Sequence, residues 1–173
     1  MKTIIEKVLF TKQECDLILK KYSNNPVDES EHNDTRKYQS KNIDYIADKW
    51  ILDRFVNWIE AELDVKIEWE ASKIKELYLQ SYKMGDMFKK HNDNEYHRVY
   101  GCGLLLNNDF KGGEFIVYSP KDEMNKFTNT VGNCYLFESN LFHEVTEIID
   151  GNRNVVLIFF RNSQILFKRN KLI

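Results

Sequence analysis

Hydrophobic positions in the first third of the chain recur at helical spacing after one short apolar run. The run from Ile4 to Phe10 predicts an opening strand. Thr11 to Glu14 fits a capping box, which predicts that a helix begins there. Apolar residues between Ile43 and Leu63 recur three and four positions apart and predict a long amphipathic helix. The intervening segment, Ser23 to Lys41, is polar, contains Pro26 and is predicted to be a loop.

The rest of the chain changes to short alternating or apolar runs separated by Gly, Asn, Asp and Ser, which is typical of antiparallel strands. Strands are predicted near Ile74 to Tyr82, Phe88 to His91, Val99 to Leu106, Glu114 to Val117, Asn133 to Phe137, Glu144 to Ile148 and Asn154 to Phe160. Helices followed by a strand-rich region indicate an α+β fold. We expect a double-stranded β-helix (jelly-roll) sandwich backed by N-terminal helices.

Length and charge limit the organisation of the chain. With 173 residues it can form one domain with a sizeable core, but it is too short for two ordinary domains. We therefore expect a single domain over residues 1–173, with helical support over about 1–65 and the jelly-roll core over about 74–161. The net charge of -2 gives no overall positive field for binding nucleic acid or an anionic membrane.

Cysteine usage and apolar run lengths indicate the compartment. Cys15, Cys102 and Cys134 are odd in number and far apart, which argues against a disulfide framework and against a zinc knuckle. Met1 to Cys15 carries charges among its apolar residues and lacks a signal-like apolar stretch, and the longest apolar run, Val155 to Phe160, cannot span a bilayer. We therefore expect a soluble, cytoplasmic protein with neither a membrane nor nucleic acid as its partner.

Candidate metal chemistry centres on His91, Asp93 and the more distant His143. Residues i and i+2 of a strand project to the same face, so His91 and Asp93 at a strand end can offer a nitrogen and an oxygen to one ion. Two histidines and one carboxylate form the facial triad of non-haem Fe(II) oxygenases, which leaves positions open for a co-substrate and O₂. The three residues therefore suggest an oxygenase metal site.

A candidate carboxylate-binding residue follows the second histidine. Asp150-Gly151 has the composition of a hairpin turn between the strands predicted at Glu144 to Ile148 and Asn154 to Phe160. Such a hairpin would put His143 and Arg153 on neighbouring strands that face one cavity. The guanidinium of Arg153 is always charged, and its planar fork matches a carboxylate.

Short motifs occur in a specific order through the second half of the chain. They are Glu76 to Asp86, His91-Asn92-Asp93, Arg98, Leu105-Leu106-Asn107, Gly112-Gly113-Glu114, Gly132, Phe137, His143-Glu144-Val145 and Gly151-Asn152-Arg153. In order and spacing, the region from about Glu76 to Phe160 resembles the 2-oxoglutarate- and Fe(II)-dependent dioxygenases of the prolyl 4-hydroxylase-like group.

The resemblance implies specific roles for the candidate residues. His91, Asp93 and His143 would be the catalytic metal ligands that bind Fe(II). Arg153 would form a bidentate salt bridge with the distal carboxylate of 2-oxoglutarate, and Tyr82 would line the co-substrate pocket. O₂ would be the second co-substrate, with ascorbate as an optional reductant.

The implied reaction is hydroxylation of an unactivated C–H bond, first of all in a prolyl or similar side chain of a peptide or protein. A free amino acid or another small metabolite is the alternative substrate, because the chain carries little beyond the catalytic core. The overall acidity argues against nucleic-acid dealkylation. A non-catalytic jelly-roll module that keeps a metal for sensing or structure is a further alternative, but such a module would not need Arg153.

Two positions depart from the pattern of the resembled group. Many members have a tyrosine just before the Leu-Asn pair that helps to hold the distal carboxylate, whereas this chain has Leu105. Either another hydroxyl replaces it, from Tyr100, Thr130 or Tyr135, or binding relies more heavily on the arginine. After Gly-Gly-Glu, collagen-type members usually continue with threonine, whereas this chain has Phe115.

Three other patterns are better explained as loops. Gly112 to Phe115 resembles the signature of diguanylate cyclases, but it lacks one acidic residue and a flanking βαβ pattern, so a turn is predicted. His32 and His97 are predicted to be surface histidines rather than metal ligands. The segments Ser23 to Lys41 and Asp93 to Arg98 are expected to be ordinary loops rather than a lid over the site.

Overall fold

The computed structural model describes residues 4–167, which form a curled antiparallel sheet and two α-helices. The helices are α1 (Lys12–Tyr22) and α2 (Lys49–Leu63). The strands are β1 (Ile4–Val8), β2 (Glu29–His32), β3 (Arg36–Asn42), β4 (Val65–Ile67), β5 (Leu77–Lys83), β6 (Met87–His91), β7 (Arg98–Leu105), β8 (Lys111–Gly112), β9 (Phe115–Tyr118), β10 (Met124–Lys126), β11 (Asn133–Glu138), β12 (His143–Val145), β13 (Ile148–Asp150), β14 (Asn152–Arg161) and β15 (Ile165–Phe167). The predicted α+β jelly-roll class is confirmed.

The predicted capping box begins α1. The backbone N–H of Glu14 donates to the Thr11 hydroxyl, and the backbone N–H of Thr11 donates to the Glu14 carboxylate at 2.8 Å. These two bonds satisfy donors that the first helical turn leaves without partners. The helix then buries Cys15, Ile18 and Tyr22 against the sheet-and-helix core.

The prediction of a loop over Ser23 to Lys41 is wrong, because this segment contains β2 and most of β3. Residues 39–42 of β3 pair with β5, and Arg36 and Lys37 pair with β6. β3 could not be recognised from its polar sequence. A strand that borders a cavity does not need the alternating apolar residues of a strand that packs on a core.

The predicted long helix starts later than expected. Residues 43–48 form a turn in which the Asp44 carboxylate accepts hydrogen bonds from the backbone N–H groups of Ile46 and Ala47. This local side-chain hydrogen bonding competes with helix formation. The helix therefore begins at Lys49 and continues to the predicted end at Leu63.

The main sheet has the strand order β1-β11-β7-β14-β5-β3-β6-β12-β9-β10, with β2 paired to β3. Its curl brings distant strands face to face around an aromatic and aliphatic cluster that includes Tyr38, Tyr82, Phe115, Tyr135, Phe137 and Val145. The outer face of β5, β7, β11 and β14 packs on α1 and α2 through residues such as Leu79, Leu104, Leu136 and Ile158. The inner cluster borders the candidate site.

The predicted hairpin at Asp150-Gly151 is wrong. β13 pairs with β8, whereas β14 pairs with β5 and β7, so the turn carries the chain from one sheet to another. The single strand predicted over Glu144 to Ile148 is in fact split between β12 and β13. The strands that carry His143 and Arg153 are therefore not neighbours, because β5, β3 and β6 lie between them in the sheet.

Two further features concern the environment of the protein. Neither helix within residues 4–167 combines the length and apolar character needed to cross a membrane. Cys15, Cys102 and Cys134 are buried free thiols.

Candidate metal and co-substrate site

A cavity of about 640 Å³ lies inside the curled sheet. His91, Asp93 and His143 line it, and so do Tyr82 and Arg153. The structure thus brings together all the residues that the sequence singled out for the site. Curling of the sheet, rather than a shared hairpin, brings His143 and Arg153 to one cavity.

The predicted metal ligands converge at the end of β6 and the start of β12. His91 and His143 are direct cross-strand partners, and the backbone N–H of Asp93 donates to the Ser139 carbonyl at 2.8 Å. Nε2 of His143 lies 3.2 Å from Oδ2 of Asp93, and Nε2 of His91 lies 3.7 Å from Oδ1 of Asp93. One ligand atom from each residue lies within 4.8 Å of the others, a spacing that suits a shared cation.

Backbone carbonyls orient both imidazole rings. Nδ1 of His91 lies 2.7 Å from the Lys89 carbonyl oxygen, and Nδ1 of His143 lies 3.0 Å from the Leu141 carbonyl oxygen. A carbonyl can only accept, so each Nδ1 carries the proton and donates it. The Nε2 lone pair of each ring is then left for a metal, which is the usual arrangement of histidine ligands.

The protonation states also suit a divalent cation. Burial, together with the neighbouring His143, lowers the pKa of His91 to about 4, so this imidazole is uncharged at neutral pH. Burial alone would raise the pKa of Asp93, but interactions with His143 first, and then with His91 and Arg98, hold it below its usual value. The cavity therefore offers a neutral nitrogen and an ionised carboxylate, as metal binding requires.

Arg153 provides a buried cation on the wall of the same cavity. It is 2% exposed, faces Tyr82 across the β5–β14 pair, and its Cζ lies 5.6 Å from the centroid of the Tyr82 ring. Within residues 4–167, Nε of Arg153 has no hydrogen-bond partner. A buried guanidinium with an unsatisfied donor is costly unless an anion pairs with it. The donor set of the triad fits Fe(II), and this guanidinium fits the distal carboxylate of 2-oxoglutarate.

The Asp93 carboxylate contacts a buried ion-pair network on the side chains of Arg98, Glu76 and Arg161. Arg98 Nη1 lies 3.6 Å from Asp93 Oδ1, and Arg98 Nε donates to the Glu76 carboxylate at 3.2 Å. Arg161 donates to the same carboxylate. The sequence pointed to Glu76 and Arg98 only as parts of motifs, and it missed Arg161, because this pairing between distant segments leaves no local signal.

Sequence analysis also missed a polar partner of Tyr82. The Tyr82 hydroxyl donates to Oε1 of Gln80 at 2.8 Å, and both side chains line the cavity. The two-residue spacing of Gln80 and Tyr82 on β5 puts both on one face of the strand, so period-two reasoning could have found this pair.

The structure distinguishes the three residues that could supply the hydroxyl missing at Leu105 by where they lie relative to the cavity. Tyr135 lines the cavity, whereas Tyr100 belongs to the helix-side core and Thr130 is exposed.

The histidines and glycines that were set aside as surface or turn residues have the expected character, although His32 lies in strand β2 rather than in a loop. His32 and His97 are exposed and take no part in the His91, Asp93 and His143 cluster. Gly112 and Gly113 have φ values of 72° and 61°, which turn the chain between β8 and β9.

A protein-family model matches the strand-rich region that contains His91, Asp93 and His143. Residues 77–161 match the model of the 2OG-Fe(II) oxygenase superfamily. The chain belongs to this superfamily. It is a 2-oxoglutarate-dependent dioxygenase, and its cofactor and co-substrates are Fe(II), 2-oxoglutarate and O₂. No curated protein matches the chain by sequence.

Solved structures share the fold of this oxygenase over nearly its whole length. A prolyl-4-hydroxylase from Pseudomonas putida has a TM-score of 0.74 at 16% identity, with 93% of each chain covered. A 2OG-Fe(II) oxygenase family oxidoreductase from Burkholderia pseudomallei has a TM-score of 0.73 at 15% identity, covering 96% of this chain and 88% of that one.

A third similar structure is a prolyl hydroxylase in complex with a hypoxia inducible factor oxygen degradation domain peptide fragment, from Trichoplax adhaerens. It has a TM-score of 0.68 at 18% identity, covering 92% of this chain and 83% of that one. At such identities the likeness establishes the fold.

Proposed function

We propose that this dioxygenase hydroxylates a prolyl or similar side chain of a peptide or protein. In this proposal His91, Asp93 and His143 hold Fe(II), while Arg153 and Tyr82 bind 2-oxoglutarate. The observation that carries the proposal is the convergence of a neutral imidazole, an ionised carboxylate and a buried guanidinium, whose Nε has no hydrogen-bond partner within residues 4–167, in one cavity.

The bound iron supplies the redox chemistry, in which 2-oxoglutarate, O₂ and a C–H substrate give succinate, CO₂ and the hydroxylated product. The residues of the chain bind and orient. Arg153 neutralises the distal carboxylate, and the ring of Tyr82 covers the guanidinium on one side, which limits its contact with water. The hydrogen bonds from His91 and His143 to backbone carbonyls hold their rings before any metal arrives.

Two observations support a prolyl substrate. The cavity is also lined by the aromatic residues Tyr78, Tyr96 and Phe159, which suit a compact apolar ring. Two of the similar solved structures are prolyl hydroxylases by name, and one of these two is in complex with a peptide fragment. Charged side chains that include Glu29, Lys89 and Glu95 line the same cavity and can contact a peptide backbone.

The test is a mass-spectrometric screen of proline-containing peptides, free amino acids and oligonucleotides, with succinate formation as the common readout. We expect a peptide product heavier by one oxygen atom, formed in step with succinate. The product and the succinate should both be lost in His143→Ala, whereas the exposed His97→Ala should retain both.

Other results would contradict specific parts of the proposal. Oxygen incorporation only into free amino acids would replace the peptide substrate with a small metabolite. Failure of the protein to bind 2-oxoglutarate under anaerobic conditions with Fe(II) would indicate a non-catalytic metal-binding module.

A further inference from the structure

Tyr135 is a buried tyrosine in the same cavity as Arg153. It lies on a different strand from the tyrosine that the resembled dioxygenases have near their arginine. In many of those enzymes, the tyrosine that helps to hold the distal carboxylate precedes the Leu-Asn pair, at the position of Leu105 on β7. This chain instead has Tyr135 on β11, the strand next to β7.

Two glycines on β7 make room for this arrangement. Gly101 and Gly103 alternate with the buried core residues Tyr100, Cys102 and Leu104, so their positions face the cavity. Gly103 is the direct cross-strand partner of Tyr135, and a Cβ atom at Gly103 would overlap the ring and the hydroxyl of Tyr135. β7 therefore has neither the family tyrosine at position 105 nor a side chain at position 103 that would overlap Tyr135.

The second departure from the family pattern supports the same ring. Phe115 occupies the position where collagen-type members have threonine, and it stacks on Tyr135 with ring centroids 4.3 Å apart at 27°. Phe127 contacts Tyr135 as well, at 5.2 Å between centroids. Phe115 and Phe127 thus hold the phenol in place before any ligand binds, which reduces the entropic cost of a hydrogen bond from it.

We propose that Tyr135 donates a hydrogen bond to the distal carboxylate of 2-oxoglutarate and so replaces the tyrosine that is absent at Leu105. The inference rests on the proposed co-substrate site at Arg153. Three departures then have one explanation. Leu105 lacks the hydroxyl, Gly103 leaves space for Tyr135, and Phe115 packs on the Tyr135 ring, so that β11 supplies the hydroxyl in place of β7.

Hydrogen-bond chemistry shows why Tyr135 can donate. The Tyr135 hydroxyl and the Arg153 guanidinium belong to side chains that line the same cavity and interact electrostatically. A guanidinium can only donate, so toward Arg153 the phenol oxygen can act only as an acceptor, and the phenol proton is left for another acceptor. Burial raises the pKa of Tyr135 although Arg153 opposes this shift, so the hydroxyl keeps its proton at neutral pH. The hydroxyl of Tyr82, by contrast, already donates to Gln80.

The test is anaerobic titration calorimetry of the Fe(II)-loaded protein with 2-oxoglutarate and with 2-oxopentanoate. 2-Oxopentanoate keeps the keto acid but has a methyl group in place of the distal carboxylate. We expect Tyr135→Phe to raise the Kd for 2-oxoglutarate about tenfold, because a hydrogen bond to a charged group is lost. The Kd for 2-oxopentanoate should stay the same. The matched control is Tyr100→Phe, which removes a hydroxyl from the helix-side core and should leave both Kd values unchanged.

A second measurement is independent of affinity. With tyrosines labelled with ¹³C at Cζ, the Tyr135 signal is identified by its absence from the Tyr135→Phe spectrum. It should shift when 2-oxoglutarate is added to the protein loaded with Zn(II), and it should not shift with 2-oxopentanoate.

The inference would be overturned by an unchanged Kd for 2-oxoglutarate in Tyr135→Phe, by an equal loss for both ligands, or by a stationary Tyr135 signal on saturation. If the unsubstituted protein fails to bind 2-oxoglutarate, the proposed function itself fails. That outcome is distinct from a defect confined to Tyr135→Phe.

Discussion

Nε2 of His143 lies 3.2 Å from Oδ2 of Asp93, while Nδ1 of the same ring donates to the Leu141 carbonyl. The ring therefore cannot turn away from Asp93 without breaking a buried hydrogen bond. This pair presents one nitrogen and one oxygen to the same point in the cavity, and His91 adds the third donor.

Asp93→Asn should weaken Fe(II) binding by more than about 100-fold, a larger loss than the roughly 10–100-fold effect of changing a residue that only supports a ligand. The amide keeps the shape of the carboxylate but removes its charge. Metal titration under anaerobic conditions measures the effect. Asp122→Asn is the control, because Asp122 is an exposed residue paired with Lys90. Equal affinities of the two variants for Fe(II) would contradict the assignment of Asp93.

Arg153→Lys should raise the Kd for 2-oxoglutarate about 10–100-fold while leaving Fe(II) affinity unchanged. Lysine keeps the positive charge but loses the planar fork that binds a carboxylate through two hydrogen bonds. Calorimetry with each ligand measures both quantities. Arg54→Lys provides the control, since Arg54 packs on Phe10 away from the cavity. A Kd for 2-oxoglutarate in Arg153→Lys no higher than in Arg54→Lys would exclude this role for Arg153.

Glu76→Gln should destabilise the fold by about 3–5 kcal/mol at neutral pH, because Arg98 and Arg161 would be left as buried cations without their shared carboxylate. Glu76 is only 6% exposed. Urea unfolding measures the loss. Glu70→Gln, which removes the ion pair of the exposed Glu70 with Lys75, should cost less than about 1 kcal/mol.

The loss in Glu76→Gln should depend on pH in a specific direction. Burial alone would raise the pKa of Glu76, but the hydrogen bond and charge of Arg98 hold it below its usual value of 4.5. A carboxyl group whose pKa is lowered on folding stabilises the protein fully above its unfolded-state pKa. The difference in unfolding free energy between wild type and variant should therefore be constant above about pH 4.5 and shrink as the pH falls further. A difference that grows in acid would contradict this account.

Gly132→Ala should destabilise the fold by at least about 2 kcal/mol. Gly132 has a φ of 84°, and an added Cβ would overlap the Phe10 carbonyl oxygen at the point where Leu9 and Phe10 donate to the Gly132 carbonyl. Gly85→Ala is the matched control, because Gly85 has a φ of 83° but no atom within 4 Å of the added Cβ. Thermal unfolding should show the larger loss for Gly132→Ala, and equal losses would mean that the overlap is relieved without cost.

Local patterns predicted the parts of the fold that depend on neighbouring residues. The capping box at Thr11 and the alternating or apolar runs of β5, β7, β11 and β14 act over a few residues, so the sequence alone revealed them. The path of β3 and the pairing of β13 depend on distant strands, and no local pattern records these contacts.

The candidate site shows the same division. His91, Asp93, His143 and Arg153 were found because they match an ordered set of motifs with chemically suitable side chains. The sequence could not choose between Tyr100 and Tyr135, because the choice depends on which face of its strand each residue occupies. Neighbouring strands determine those faces, and Tyr100 belongs to the helix-side core while Tyr135 borders the cavity.

β3 lies outside residues 77–161, the region that matches the superfamily, yet it pairs with both β5 and β6 along the edge opposite β2. β5 carries Tyr82, and β6 carries His91. A fragment trimmed to the matching region would leave both strands with bare edges that invite pairing with other molecules. β3 thus joins the strands of the proposed iron site and the proposed co-substrate site, and a protein built from the matching region alone would lack this connection.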